Sequence, residues 1–356
     1  MFRCLRWSIT AALLGGLLAW SHPADASDRT APQILQELDS MKSPPFDQRR
    51  EAEPGYREAV QKQYLDLLAR RDTLILDLFR LDPDHPRLPE LMTERWRRMP
   101  PIPPNPDRLG KEVDEVLAAT HNDRLKAEAF YARAQIDIVK TAQTGVTQLG
   151  AVDDFVRRLP RDERSSQLLY MVTLYTKDDG IRQKYEARVL NEYPKSRAAS
   201  DIQGNRRQAE ALGKPFELRF DDAITGRSIA MTDLKGKVVV IDFWATWCAP
   251  CVAGMPHLKE LYQKYHDQGL EIIGVSLDAP ADQGGLQKLR AFVQAQQIRW
   301  PQYYLGNGWE SEFTKSWAIN VLPSMFLVDR DGKLVSTRAV EELDQMIPRL
   351  LASQSK

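Results

Sequence analysis

Residues 236–251 read GKVVVIDFWATWCAPC, and they carry the most informative pattern in the C-terminal part of the chain. Residues 238–243 form a continuous apolar run rich in β-branched side chains, interrupted only by Asp242, which is typical of a strand buried on both faces. Cys248 and Cys251 follow, where a helix is expected to begin. The pattern therefore predicts a buried strand that leads, through a short loop, to two thiols at the first turn of a helix.

Cys248 and Cys251 have the spacing of a reversible dithiol/disulfide pair. The free N–H groups and the macrodipole at a helix N-terminus favour an anion, so the thiolate form of Cys248 is expected to be favoured there. Cys251 is then placed to close the disulfide. A zinc site needs about four ligands. Although His257 and His266 lie downstream, there is no second cysteine pair, and we expect no metal site.

The first 26 residues have the pattern of a secretory signal peptide. Arg3 and Arg6 precede a short apolar stretch at residues 9–20, and residues 24–26, Ala-Asp-Ala, fit a cleavage site. A bilayer crossing needs ~20 apolar residues, more than this stretch provides. We expect a cleaved signal peptide and a periplasmic or otherwise exported protein. The alternative is an uncleaved segment that anchors the protein in the inner membrane.

Length and charge limit the classes of function. A chain of 356 residues is too long for one typical core, so two domains are expected after the signal. Lys+Arg and Asp+Glu both number 49, which gives a formal net charge of zero. A nucleic-acid-binding protein usually carries a basic excess, so no nucleic-acid partner is expected.

Residues 27–212 are predicted to form an all-α domain of packed helical hairpins, because apolar residues recur at helical spacing. Residues 82–86 contain two prolines and break one helix. The proline-rich stretch 100–106 is expected to be an extended connector that divides the domain into two subdomains. Helical periodicity is seen first at residues 64–68 and 74–79, and further periodic segments follow at 111–119, 123–142, 148–158, 165–176 and 181–192.

Residues 189–199 are similar to the helix-turn-helix junction of tetratricopeptide-like repeats, but the full repeat pattern is absent. Helical hairpins are therefore the main expectation, with a true repeat array as the alternative. Such a domain could hold a protein partner or space the C-terminal domain from a surface, and the sequence leaves both open.

The pattern changes at residue 213. Strands and helices alternate from there to the C-terminus, which predicts a domain over residues 213–356 with a mixed sheet and helices on both faces. The predicted strands are 216–220, 238–243, 271–277, 324–328 and 333–337, and the predicted helices are 248–268, 286–297 and 341–351.

Residues 213–351 resemble the thioredoxin fold and, within it, the exported TlpA/ResA-like thiol-disulfide oxidoreductases. Residues 236–251 are similar to the active-site strand and loop of this family. Pro256 matches the proline that kinks its active-site helix, and residues 322–324 match the segment that holds its cis-proline. The spacing between Cys251 and Pro323 leaves room for the extra strand-helix element of the TlpA-like branch. The resemblance implies an α/β thioredoxin fold preceded by the helical domain.

Catalytic roles follow from this resemblance. Cys248 is expected to attack a disulfide and Cys251 to resolve the mixed disulfide, without a further cofactor. Asp242 lies in an apolar strand, where burial would raise its pKa and suit it to accept the Cys251 proton. The alternative is a partly solvated carboxylate at the strand end. Many relatives have Glu at the place of Gly254, and the role of that Glu does not carry over.

Substrate contacts are also implied. Pro323 is expected to follow a cis peptide bond and, with Leu322, to bind the backbone of a substrate. Trp247 is expected to form a flat apolar rim beside Cys248. Phe243 and Trp244 are expected to lie in the core.

We therefore expect an enzyme that exchanges its disulfide with protein thiol or disulfide substrates, in the reducing direction, with electrons from a membrane-borne donor. A peroxiredoxin-like peroxidase is one alternative, although Thr246 has the wrong spacing from Cys248 for that chemistry. A scaffold or binding protein is the other, with residues 27–212 as its functional part.

Overall fold

The computed structural model describes residues 29–50, 53–97 and 106–353. The chain forms two compact units that divide between Pro160 and Arg161. The expected signal peptide and most of the proline-rich connector lie outside the described residues. Among the helices of the described ranges, none combines the length and the apolarity that a membrane crossing requires.

The described residues of the first unit form helices joined by loops, as the sequence predicts. The break expected at residues 82–86 separates its second and third helices. Pro106, the last residue of the predicted connector, instead begins a helix, because the missing proline N–H is harmless in a first turn. The helices are α1 (Ala31–Ser40), α2 (Tyr56–Leu81), α3 (Leu88–Arg97), α4 (Pro106–Ala119), α5 (Asp123–Thr144) and α6 (Gly150–Arg158).

Three further helices open the second unit: α7 (Glu163–Tyr175), α8 (Asp179–Glu192) and α9 (Arg197–Ala211). Each is capped at its N-terminus by a side chain that accepts a hydrogen bond from a backbone N–H of the first turn. The capping residues are Asp162, Asp178 and Ser196. The predicted domain boundary at 212/213 falls between α9 and the first strand. These three helices belong to the same compact unit as the strands. The domain boundary at 212/213 therefore stays a prediction.

The rest of the second unit alternates strands and helices, and its main sheet has the order β5-β4-β3-β6-β7. Strands β3, β4 and β5 are parallel, whereas β6 and β7 are antiparallel to their neighbours, so the sheet is mixed as predicted. The elements are β1 (Arg219–Asp221), β2 (Ser228–Ala230), β3 (Val238–Trp244), α10 (Ala249–Tyr265), β4 (Leu270–Ser276), α11 (Gly285–Ala295), β5 (Gln302–Tyr304), α12 (Glu312–Ser316), β6 (Ser324–Val328), β7 (Leu334–Ser336) and α13 (Leu343–Ala352).

The strand predicted at 216–220 is shorter than expected and is displaced to β1. Residues before it hydrogen-bond to β7 instead, where Gly213 N donates to Leu334 O at 2.8 Å and Leu334 N donates to Lys214 O at 2.9 Å. The extra strand-helix element for which the sequence left room is α11 with β5. Strand β5 and helix α12 are not among the elements predicted from the sequence.

Strand β3 is central, and every one of its residues is buried. Phe243 pairs with Ser324, the first residue of β6. Since β3 and β6 run antiparallel, the chain leaving β3 and the chain entering β6 lie at the same end of the sheet. The loop at 245–247 and the segment that precedes Ser324 therefore meet at this end.

Candidate active site

The two cysteines form a disulfide at the first turn of α10. Cys248 is the N-cap residue, and its sulfur accepts the backbone N–H of Cys251 at 3.2 Å. Both cysteines are nearly buried. A sulfur at this position receives the partial positive charge of the helix N-terminus, which stabilises a thiolate once the disulfide is reduced.

A buried carboxylate that sequence reasoning missed holds the loop before Cys248. Asp278 is 1% exposed, and it accepts the Thr246 hydroxyl at 2.6 Å and the Thr246 N–H at 3.1 Å. It also accepts the Ser276 hydroxyl at 2.7 Å. These bonds fix the backbone between the end of β3 and the disulfide. Its position just after β4, at the end of a buried strand, was the available sequence signal.

The aromatic residues around the loop divide into exposed and buried ones. Trp247 is 55% exposed, and its ring centroid lies 6.3 Å from that of Trp309. Phe243 and Trp244 are fully buried, as predicted. The Trp244 indole N–H donates to Gln302 Oε1 at 3.0 Å, so the strand before the disulfide is also tied to β5.

Asp242 lies inside β3, two residues before its end. It is 2% exposed, and its Oδ1 has no hydrogen-bond partner within the described part of the chain. Burial raises the pKa of this carboxyl from 3.8 to about 7, because removal from water penalises its charged form. The alternative of a partly solvated carboxylate is therefore wrong. Asp242 and the disulfide lie at the same end of the sheet.

The segment before β6 borders this end of the sheet. The Leu322–Pro323 peptide bond is cis, as predicted. Leu322 packs partly buried against the core that contains both cysteines. Val321 is 66% exposed, and its carbonyl accepts the Ser324 hydroxyl at 2.6 Å. Trp247 and Val321 thus give apolar exposed surface to the end of the sheet that carries the disulfide.

Two residues of α10 lie at positions that the resemblance to the TlpA/ResA-like proteins singles out. Pro256 lies inside the helix at the expected place. Gly254 is exposed, and a Cβ built on it would have no atom within 4 Å. The position where many relatives carry Glu is therefore open space.

The histidines after the cysteine pair are engaged elsewhere. His257 Nε2 lies 3.1 Å from Asp344 Oδ1, and His266 Nδ1 lies 3.2 Å from Leu270 O. Within residues 29–50, 53–97 and 106–353, no group of three or more His, Cys, Asp or Glu side chains is placed to hold a metal ion.

Comparisons with known proteins cover the second unit. A model of the AhpC/TSA family matches residues 211–337. Thiol-disulfide oxidoreductase ResA of Bacillus thuringiensis subsp. konkukian is 34% identical over 128 residues, which is 36% of this chain and 69% of that protein. ResA of Bacillus anthracis is 34% identical over 124 residues, 35% of this chain and 67% of the relative. A solved thioredoxin-like protein from Bacteroides vulgatus is 32% identical, covers 40% of this chain and 86% of its own, and has a TM-score of 0.34.

The matched residues contain the features that define the site. They include the disulfide at the start of α10, the buried Asp242 of β3 and the cis peptide bond before Pro323. The mixed sheet around them has the architecture that the thioredoxin resemblance implied. The chain therefore belongs to the ResA-like thiol-disulfide oxidoreductases of the thioredoxin fold.

Proposed function

We propose that this enzyme reduces disulfides of exported proteins, with Cys248 as the attacking thiol and Cys251 as the resolving thiol. The Cys248 thiolate attacks one sulfur of a substrate disulfide, and the first substrate thiolate leaves. Cys251 then attacks the Cys248 sulfur of the mixed disulfide and releases the second substrate thiol. Two electrons pass to the substrate, two protons go with them, and the enzyme ends as a disulfide.

The observation that carries this proposal is the position of Cys248 at the N-cap of α10 beside exposed apolar surface. The sulfur accepts a first-turn N–H, which favours the nucleophilic thiolate. Trp247 and Val321 are exposed at the same end of the sheet. A protein segment that carries apolar residues around its disulfide would fit this surface.

The composition of the active-site turn supports the reducing direction. Ala249 and Pro250, between the two cysteines, have no side-chain hydrogen-bond donors. The redox potential of a dithiol rises when its thiolate is strongly stabilised, as in the strongly oxidising members of the fold. A thiolate held by backbone donors at the helix end is expected to give a lower potential and a better reductant.

We assign Asp242 the role of proton acceptor for Cys251. Thiolate formation at the buried Cys251 requires a base, and burial holds the pKa of Asp242 at about 7, near neutrality. Trp247, Leu322 and Pro323 are assigned to substrate binding. In this arrangement Trp247 contacts apolar side chains of the substrate, while residues 322–323 pair with the substrate backbone.

The N-terminal pattern of residues 1–26 supports export, with an uncleaved membrane anchor as the alternative. A reductase in an oxidising compartment must be re-reduced by a donor that brings electrons from elsewhere. A membrane-borne dithiol protein fits this requirement. The substrate class is a protein disulfide.

The test of direction is the reduction potential of the Cys248–Cys251 couple, measured by equilibrating the protein in defined thiol/disulfide buffers. We expect a value near or below about −250 mV, in the range of thioredoxin. A value above about −150 mV would mark an oxidant of thiols and overturn the reductive proposal.

The test of the cysteine roles is trapping. Cys251→Ser should accumulate a mixed disulfide with a disulfide-containing peptide, because the resolving thiol is gone. Cys248→Ser should accumulate none. Equal trapping by the two variants would contradict the assignment.

The peroxidase alternative has its own test. The Thr246 hydroxyl donates to Asp278 at 2.6 Å, an arrangement that favours a loop-fixing role over one in peroxide binding. Cys251→Ser with Cys248 reduced should consume hydrogen peroxide no faster than a free thiol does. Rapid peroxide consumption would support a peroxidase instead.

A further inference from the structure

Helix α9 packs directly on residues 317–320, which join α12 to the segment before β6. Gly204 of α9 lies very close to the backbone of this segment. A Cβ added at Gly204 would lie 2.5 Å from Ala318 N and 2.7 Å from Ala318 Cβ. Because real Cβ atoms do not approach backbone so closely, the contact requires glycine in α9.

Ala318 has an unusual backbone conformation at this contact. Its φ is +48°, in the left-handed region, and its N–H donates to Lys315 O at 3.1 Å, which closes the end of α12. Glycine is the usual residue at such a helix end, since a Cβ is disfavoured there by ~1 kcal/mol. Such a conformation persists where the surroundings hold it. Here the Ala318 methyl lies against the bare backbone of Gly204.

Trp317 is held from the same side. Gln208 Nε2 donates a hydrogen bond to the Trp317 carbonyl, and the Arg207 guanidinium lies 4.4 Å from the centroid of the Trp317 ring. The ring also packs edge-on against Phe326 of β6, with centroids 5.5 Å apart. Helix α9, the 317–320 segment and the central sheet therefore form one continuous packed structure.

Asn320 completes the attachment. Arg197, the first residue of α9, donates to Asn320 Oδ1 and also bonds Asp201 at 3.0 Å. Ser324, four residues further along, is paired with Phe243 of β3. The three residues 321–323 therefore lie between one end held by α9 and another held by the strand that leads to the disulfide.

We propose that α9 is a positioning element for substrate recognition: it fixes residues 317–320 so that the 321–323 segment is preset beside the disulfide for an extended disulfide-containing peptide. The inference rests on the proposed function, in which that segment contacts substrate. It gives this part of the helical region a role in recognition beyond spacing the catalytic part from a surface.

The test compares two disulfides of different size on the reduced enzyme. One is a peptide that contains a single disulfide and whose backbone is extended beside it. This peptide must contact the 321–323 segment. The other is the small aromatic disulfide dithiobis(nitrobenzoate), which needs only the Cys248 sulfur. Gly204→Ala and Gln208→Ala are the variants, and the full-length chain is used throughout.

We expect each variant to lower kcat/KM for the peptide by about tenfold or more, mainly through KM, since binding geometry is what changes. The rate with dithiobis(nitrobenzoate) and the equilibrium constant of the Cys248–Cys251 couple with glutathione should both stay within about twofold of their wild-type values. Gly150→Ala is the matched control, because it adds a methyl group to a helical glycine with no atom within 4 Å.

Each result decides the inference. Variants with unchanged peptide kinetics would overturn it, and so would equal losses with both disulfides, which indicate general damage to the fold. If Gly204→Ala does not fold, Gln208→Ala, which introduces no clash, decides alone. A wild-type enzyme that reduces neither disulfide would refute the proposed function, whereas wild-type activity with insensitive variants would refute only the role of α9.

Discussion

At the residue scale, the buried carboxyl of Asp242 makes stability depend on pH. Between about pH 4 and pH 7 the unfolded chain loses this proton while the folded protein keeps it, so the free energy of unfolding falls as pH rises. Above about pH 7 this decrease in the free energy of unfolding is complete, and below about pH 4 it is absent.

Asp242→Asn stays neutral and should escape this loss. We expect the variant to exceed the wild type in free energy of unfolding by roughly 2–4 kcal/mol at pH 8, and to match it near pH 4. Urea unfolding of the oxidised proteins at several pH values measures the difference. Asp221→Asn, on an exposed residue of β1, is the control. A difference that does not change with pH would contradict the assignment of the raised pKa to Asp242.

The bond between Thr246 and Asp278 gives a second prediction. Thr246→Val keeps the shape of the side chain but leaves part of a buried carboxylate without its donor, which should cost about 1–3 kcal/mol in free energy of unfolding. Thr246→Ser retains the hydroxyl and should cost less than half as much. Urea denaturation of both variants decides, and equal losses would show that the methyl group matters as much as the hydroxyl, which would contradict the prediction.

The sequence indicates some of these residues and hides others. Cys248, Cys251 and Asp242 are visible because they stand within one short stretch, where two thiols and a carboxylate interrupt an apolar run. Asp278 acts on Thr246 from 32 residues away, and Gln302 acts on Trp244 from 58 residues away. No local pattern reports a hydrogen bond that only the assembled sheet creates.

At the scale of elements, α10 carries an avoidable weakness. Gly254 lies in its interior, exposed and without a neighbour that a Cβ would touch. Gly254→Ala should therefore raise the free energy of unfolding by about 0.5–1 kcal/mol through the higher helix propensity of alanine. Thermal and urea unfolding measure it. Gly204→Ala is the contrasting variant, and it should be destabilising because the added methyl group meets Ala318.

Long apolar strands were predictable and short ones were not. Strands β3 and β4 lie where the continuous apolar runs predict them, because each is buried on both faces. Strand β5 has three residues and lies at the edge of the sheet, where it pairs with β4 and forms one isolated bridge with Asp222. Its strand character comes from that pairing more than from its own sequence, so no pattern announced it.

At the scale of the whole molecule, α7–α9 belong to the same compact unit as the sheet. A fragment of residues 161–356 should therefore fold cooperatively. A fragment of residues 213–356 loses α9 and uncovers Trp317, and its free energy of unfolding should be lower by on the order of 3 kcal/mol or more. Equilibrium unfolding followed by tryptophan fluorescence compares the two. Equal stability would show that α9 contributes nothing to the fold.

The two kinds of architecture were predictable because hydrophobic periodicity differs between helices and buried strands. The association of α9 with the sheet was not, because it depends on contacts such as that of Gln208 with Trp317, 109 residues apart. The change in hydrophobic pattern at residue 213 indicates where the strands begin, but it does not indicate which helices pack on them.

The contact between α9 and the end of α12 also constrains how this sequence can diverge. A Cβ at position 204 would lie 2.5 Å from the backbone nitrogen of Ala318 as well as 2.7 Å from its methyl group. Ala318→Gly would therefore not make room for Gly204→Ala, because the backbone nitrogen would remain too close. The residue type at position 204 is thus restricted by the backbone of a segment more than a hundred positions away, whichever side chain position 318 carries.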